Sequence, residues 1–199
     1  MHDRSFVENA VENEETLRDL TLSGIDLTGA ALTGSDWHRV TLVRCRLTGA
    51  DFRGSSFRAV RLMACECSGA RFAESYAYDC AMDGCKAVGA DFTECAFDRC
   101  AWTDCGLRLS LWANCRMAHC EWTRCDLREC ALTEAQLREI RLDDVNLTQA
   151  TLFRTPLRGM DLTRCTLDGA LLNIDDCRGA IVTAPQAAEL ARLLGLIIR

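Results

Sequence analysis

No apolar run in these 199 residues approaches the roughly 20 that a membrane-spanning helix needs. The opening Met1-His2-Asp3-Arg4 lacks the basic-then-apolar order of a secretion signal, so a cytoplasmic protein is expected. Positive charge is the minority sign, 23 Lys and Arg against 29 Asp and Glu, for a net charge of -6 and a pI near 5.1. That balance excludes direct nucleic-acid binding as the default expectation, because phosphate partners select basic surfaces. Histidine is scarce, at three residues, and no G-x-S-x-G, H-E-x-x-H, Walker or dinucleotide fingerprint occurs. Neither enzyme activity nor a cofactor is expected.

Helical spacing and long strand alternation are also missing from most of the chain, and a period of five stands in their place. Every fifth residue from Leu17 to Val182 gives 34 positions, none of them polar: eighteen Leu, five Phe, four Trp, two Met, two Ala, two Cys and one Val. All four tryptophans, Trp37, Trp102, Trp112 and Trp122, fall in this column, which marks it as the inward-facing centre of each unit. Two residues earlier lies a column of small residues with twelve Cys, eight Ala and four Ser; two residues later lie eleven of the thirteen glycines, such as Gly24, Gly49 and Gly89. Glycine at a single phase signals a recurring turn. The other two columns carry most of the Asp, Arg and Thr and face water.

Twelve cysteines of the small column, with central Cys67 and Cys177, make up all fourteen. Their interchange with Ala, Ser and Val is the behaviour of a small buried space-filler. A disulfide ladder is opposed by the expected reducing compartment. A metal site at Cys115, Cys120, Cys125 and Cys130 is opposed by geometry, because Met117, Trp122, Leu127 and Leu132 should fill the middle of that coil, and zinc needs sulfurs about 2.3 Å from one point. His119 faces water while Cys120 faces inward, so the two make a poor dyad.

Segments such as Ile25-Asp26-Leu27-Thr28-Gly29, Ala50-Asp51-Phe52-Arg53-Gly54 and Ala90-Asp91-Phe92-Thr93 follow the A-(D/N)-L-x-x pattern of the pentapeptide-repeat family, which the chain resembles over residues 15–184. The resemblance implies an all-β solenoid, a right-handed quadrilateral β-helix with 20 residues per coil and about 8.5 coils. Steps of 20 predict two stacks in the middle of the rod: Phe52, Phe72, Phe92 and Trp112 on one side, and Leu62, Met82, Trp102 and Trp122 on another.

Both ends depart from the repeat, as a solenoid's caps must. Residues 1–14 read as an N-terminal cap or partial coil, with Phe6 and Val11 five apart and a one-residue bulge within Glu12–Thr16 restoring the phase. Residues 185–199 read as a helix and dimerisation tail: Thr183 and Gln186 have capping-box spacing, Pro185 suits a first turn, Leu190, Leu193, Leu194 and Ile197 make a stripe, and Gly195 stops it. Leu196 and Ile198 in the tail, with water-phase Phe153, Leu171, Ile174 and Ile181, add an apolar surface. A homodimer interface is expected at Leu190, Leu193, Leu194, Leu196, Ile197, Ile198, Ile174 and Ile181.

This ending resembles that of the topoisomerase-protecting subgroup, the Qnr-type quinolone-resistance proteins, MfpA and the albicidin-resistance protein AlbG. The resemblance implies a dimeric rod that mimics duplex DNA, binds DNA gyrase or topoisomerase IV as a protein partner, and relieves inhibition by quinolone- or albicidin-type poisons. The unbroken frame leaves no room for the projecting loops of many Qnr-type members. Outward charge by side comes to about +2, -1, -1 and -2, so local patches must carry any mimicry. The candidates are Asp83, Asp91, Glu94 and Asp104 near mid-rod, and Glu129, Glu134, Glu139, Asp143 and Asp144 nearer the C-terminal end. The competing reading is a generic protein-binding scaffold using Tyr76 and Tyr78 or Leu109 and Leu111.

Overall fold

The computed structural model describes residues 3–194 and 197. They form a parallel β-solenoid of about eight turns with a short C-terminal helix. Each coil has four sides, named here by their central residues: side one carries Leu17, Trp37 and Phe57, side two Leu22, Leu42 and Leu62, side three Leu27, Leu47 and Cys67, and side four Leu32, Phe52 and Phe72. Successive coils pair in parallel with a register of 20, as in Leu17↔Trp37, Leu42↔Leu62, Phe97↔Met117 and Trp122↔Leu142. The backbone of each coil is thereby satisfied by the next. Strands occupy sides one and two, starting with β1 (Leu17–Ser23) and β2 (Asp36–Val43), while sides three and four are closed by turns and, apart from the short pair Val145–Asn146 with Cys165–Thr166, touch their neighbours through single bridges such as Asp26↔Arg46 and Ala31↔Asp51.

The corners explain the glycine column. Eleven glycines and twenty other residues two places after a centre have φ between 50° and 80°, the left-handed region that suits glycine. On sides three and four the corner is a type II turn, as where Ala30 N donates to Leu27 O (3.0 Å) around Gly29 (φ 63°). The Asp or Asn before the centre accepts a bond from the backbone N–H two residues on: Asp26 from Thr28 (3.0 Å), Asp91 from Thr93 (2.9 Å), Asn146 from Thr148 (3.0 Å). This short side chain pre-shapes the turn, which is the physical content of the D/N in the motif.

Every central residue is buried or half-buried. The two expected stacks are present. Phe52–Phe72 and Phe72–Phe92 are parallel at 5.0 and 5.2 Å, Phe92–Trp112 stacks at 4.2 Å, and Trp102–Trp122 at 5.2 Å. Two tryptophans satisfy their indole N–H through the serine two residues earlier: Trp37 through Ser35 and Trp112 through Ser110, both at 2.7 Å. Trp122 has Cys120 at that place, and its buried Nε1 finds no acceptor among the described residues. Cys120→Ser should therefore stabilise the protein by about 1 kcal/mol, the usual net value of a completed buried hydrogen bond. Urea unfolding checks this, and a destabilised variant would show that thiol packing outweighs the bond.

The N-terminus differs from expectation. Phe6 and Val11 belong to α1 (Arg4–Glu12), an α-helix and not a bulged partial coil, capped by Asp3, which accepts from Phe6 N at 3.0 Å. Val7 and Ala10 are buried and Val11 packs half-buried against the core, a helical i, i+3, i+4 stripe that the five-residue spacing concealed. The helix ends by a Schellman pattern: Glu15 N donates to Ala10 O (2.8 Å) and Glu14 N to Val11 O (3.0 Å), with Glu14 left-handed at φ 56°.

At the other end, α2 (Ala184–Ala191) is followed by a 3-10 turn, Arg192–Leu194, so the expected stripe through Leu193 and Leu194 is not one continuous α-helix. Thr183 and Gln186 form the capping box. The Gln186 amide also donates to Leu162 O and Cys165 O, both at 2.8 Å, and so ties α2 to the wall below it.

One breach interrupts the ladder. On sides one and two the strand pairing stops at Gln136–Arg138 and Arg141–Asp143. Pro156 occupies the next position on side one and has no N–H to give Ala135 O, where Gln136 N donates to Cys115 O one coil earlier. Beyond it both sides take tight turns: on side one Met160 N donates to Leu157 O (3.0 Å) around left-handed Gly159 (φ 78°), a type II turn, and on side two Cys165 N donates to Leu162 O (2.9 Å). Leu137, Ile140 and Leu142 beside the breach are only half-buried.

Candidate functional site

The cysteines are free thiols, twelve of them buried. They line corners in ladders and donate across coils: Cys45 to Leu22 O (3.3 Å), Cys95 to Phe72 O (2.9 Å), Cys115 to Phe92 O (2.8 Å). Ser75 and Thr155 make the same bond, to Phe52 O (2.9 Å) and Leu132 O (2.8 Å), which is why Cys, Ser and Thr interchange there. Burial pushes the Cys95 and Cys130 thiols up to about 12 and that of Cys165 to about 11, so these groups stay protonated and poorly nucleophilic at neutral pH. Cys115, Cys120, Cys125 and Cys130 sit before four different centres, with Met117, Trp122, Leu127 and Leu132 buried between them. His119 lies on the surface, its Nδ1 2.9 Å from Asp98 and its Nε2 3.5 Å from Glu139.

The acidic candidates do not converge on one face. Asp83 and Asp143 point outward from side two and Asp91 from side four, while Asp104, Glu129, Glu134, Glu139, Asp144 and Glu94 occupy left-handed corners distributed around the rod. Several are neutralised by a basic residue roughly one coil away: Asp104 by Arg124 (2.7 Å), Glu129 by Arg108 (2.9 Å), Glu134 by Arg154 (2.8 Å) and Asp143 by Arg164 (2.6 Å). Arg124 holds the Asp104 carboxyl below the usual range. Glu139 faces His119 and Arg138. Asp83, Asp91, Glu94 and Asp144 make no ion pair among the described residues. Glu74 shares the corner column of Glu94 one coil earlier and is likewise unpaired there; its phase, 20 residues before Glu94, identifies it from sequence.

Two apolar features complete the surface. At the C-terminal end Phe153, Leu171, Ile174, Ile181 and Leu193 are 39–51% exposed and Ile197 is 88% exposed. Leu190 packs half-buried against the core, and α2 contains no buried residue, so the helix covers the last coil incompletely. Leu196 and Ile198 lie outside the described residues, as do Gly195 and the side chain of Leu194. On side one a groove of about 530 Å³ runs from Tyr76 past Ala96 and Ala118 to Arg116, Arg138 and Pro156. Tyr78 lies under Arg99 (5.8 Å), whereas Leu109 and Leu111 stand exposed at a different corner. No helix among the described residues is long and apolar enough to cross a membrane.

Compared with curated proteins by sequence, the chain matches none. Among solved structures it is similar to a trypsin-treated form of QnrB1, a plasmid-mediated fluoroquinolone resistance protein, with 21% identity, coverage of 94% of this chain and 92% of that one, and a TM-score of 0.48. It is also similar to HetL, a pentapeptide-repeat protein involved in heterocyst differentiation regulation in the cyanobacterium Nostoc, with 20% identity, coverage of 91% and 93%, and a TM-score of 0.42. The model of the pentapeptide repeat region matches residues 55–130, and that of pentapeptide repeats matches residues 22–58 and 113–149. Two models that meet along the coil, over units whose centres, corners and turn-capping Asp residues all keep one phase, establish that the chain belongs to the pentapeptide-repeat family.

Proposed function

We propose that this protein is a protein-binding rod that docks on the DNA-binding surface of DNA gyrase or topoisomerase IV and protects the enzyme from inhibitors of the quinolone or albicidin type. The observation that carries this reading is a rod whose five-residue frame runs without insertion, closed by α1 at one end and left apolar at the other, where a second copy would extend it. Along the rod, mimicry of a duplex rests on the carboxylates outside the ion pairs, Glu74 and Glu94 on one corner with Asp83, Asp91 and Asp144. Coils repeat at about 4.8 Å, whereas one strand of duplex DNA carries a phosphate every ~3.4 Å. Even a full carboxylate column would be sparser than the phosphates, so the match is local. The recognition chemistry is protein–protein, with the acidic patches steering encounter with a basic surface.

The test is a supercoiling assay with purified gyrase, a quinolone or albicidin, and graded amounts of this protein. Supercoiling should be restored in proportion to the added protein, and a Glu74→Lys, Glu94→Lys variant should restore less. Absence of rescue at any ratio removes the reading.

The side-one groove favours a second reading, a binding scaffold for an unrelated protein. Tyr76, Arg116 and Arg138 there offer aromatic and guanidinium contacts of the kind enriched in binding hot spots. Absence of gyrase rescue, together with capture of a different protein that is lost on Tyr76→Ala but kept on the two-glutamate reversal, would favour it.

A further inference from the structure

We infer that the middle of the rod contains a binding site for one small nonpolar molecule of about the size of xenon. The central column holds Ala77 on side one where the coils before and after hold Phe57 and Phe97. A ring is missing there, and its space is not refilled. A cavity of about 60 Å³ lies at this level, bounded by Phe57 and Phe97 from side one, Leu62 and Met82 from side two, and Phe72 and Phe92 from side four. Its effect is visible in the lining: Phe72 is 9% exposed, whereas Phe52 and Phe92 in the same stack are 2% and 3% exposed.

The lining decides the guest. Carbon and sulfur surround the space. Ser75 also borders it, but its hydroxyl donates to Phe52 O (2.9 Å) and accepts from Ser55 N (3.1 Å). Water needs two to four polar partners and finds none, so the space favours a nonpolar occupant over water. Cys80, Cys95 and Cys100 border the space, with thiols that point to the carbonyls of Phe57, Phe72 and Ala77. All three thiols are already engaged with backbone oxygens, and the guest is held by dispersion from the lining. Aromatic and sulfur neighbours are polarisable, which suits xenon, dioxygen and small halocarbons above saturated gases of equal size.

Xenon is the probe. Titration of the intact protein with dissolved xenon, followed by 129Xe NMR, should give a saturable shift of one-site form. Ala77→Leu, which fills the space, should abolish saturation while leaving the far-UV circular dichroism unchanged and raising the thermal midpoint. Should the leucine variant fail to fold, diffraction from xenon-pressurised crystals of the unmodified protein decides instead, with density expected between Phe72, Ala77 and Met82. A shift that rises linearly without saturating, or equal shifts in the two folded proteins, or no density at that position, overturns the inference.

Discussion

Trp112→Ala is expected to cost about 3–5 kcal/mol, the usual range for removing a large aromatic from a core. Trp112 is fully buried. It stacks on Phe92 at 4.2 Å, meets Trp102 and Trp122 edge-on at 5.4 and 5.6 Å, and donates its N–H to Ser110 at 2.7 Å. The substitution opens a void in the most aromatic stretch and leaves the Ser110 hydroxyl without this donor, though that hydroxyl still donates to Leu107 O at 2.6 Å. The cost should therefore come from packing more than from hydrogen bonding. Because each coil contacts only its neighbours, the loss should also broaden the transition, as the rod divides into halves that unfold separately. Urea unfolding followed by far-UV circular dichroism, with hydrogen exchange compared between the coil of Trp37 and the coils around the lesion, reads both effects. A loss below about 1 kcal/mol would mean that the stacked columns are not what holds the coils together.

The second large effect concerns the C-terminal end. If two rods meet there, Leu171→Asp with Ile181→Asp should halve the mass seen by light scattering while leaving the circular dichroism unchanged. Leu171 and Ile181 are 50% and 51% exposed and project from opposite sides of the last coil, side four and side two. Their replacement thus charges the rim without emptying the core of one chain. Burying an unpaired carboxylate in an association interface costs several kcal/mol, enough to shift the equilibrium by orders of magnitude. An identical mass for the parent and the variant, whether both are monomers or both dimers, would place the association elsewhere or nowhere.

Much of the fold is legible because period five assigns one environment to each column. Phe52, Phe72, Phe92 and Trp112 stack once the four-sided coil that the family resemblance implies is applied to that period, and the thiols fall in the inward-facing small column. Three matters were not legible. The helix α1 was hidden because Phe6 and Val11 keep the five-residue spacing, while the burial that defines the helix is at Val7 and Ala10, a pattern that two residues cannot declare. The breach after Gln136–Arg138 depends on Pro156 and on the change from strands to tight turns beyond it, neither of which disturbs the phase of the centres. The pairing of Asp104, Glu129, Glu134 and Asp143 with arginines needed the register between coils together with side-chain reach.

The sequence by itself determined the repeat, the inward and outward columns, the positions of the turns and the family, because a solenoid converts spacing along the chain into spacing across it with a constant step. Tertiary structure alone decided which acidic side chains keep their charge unopposed, where the wall opens, and that a single alanine at position 77 leaves a cavity. Those outcomes depend on what lies one coil above and below, where side-chain volume and reach vary from unit to unit even though the period does not.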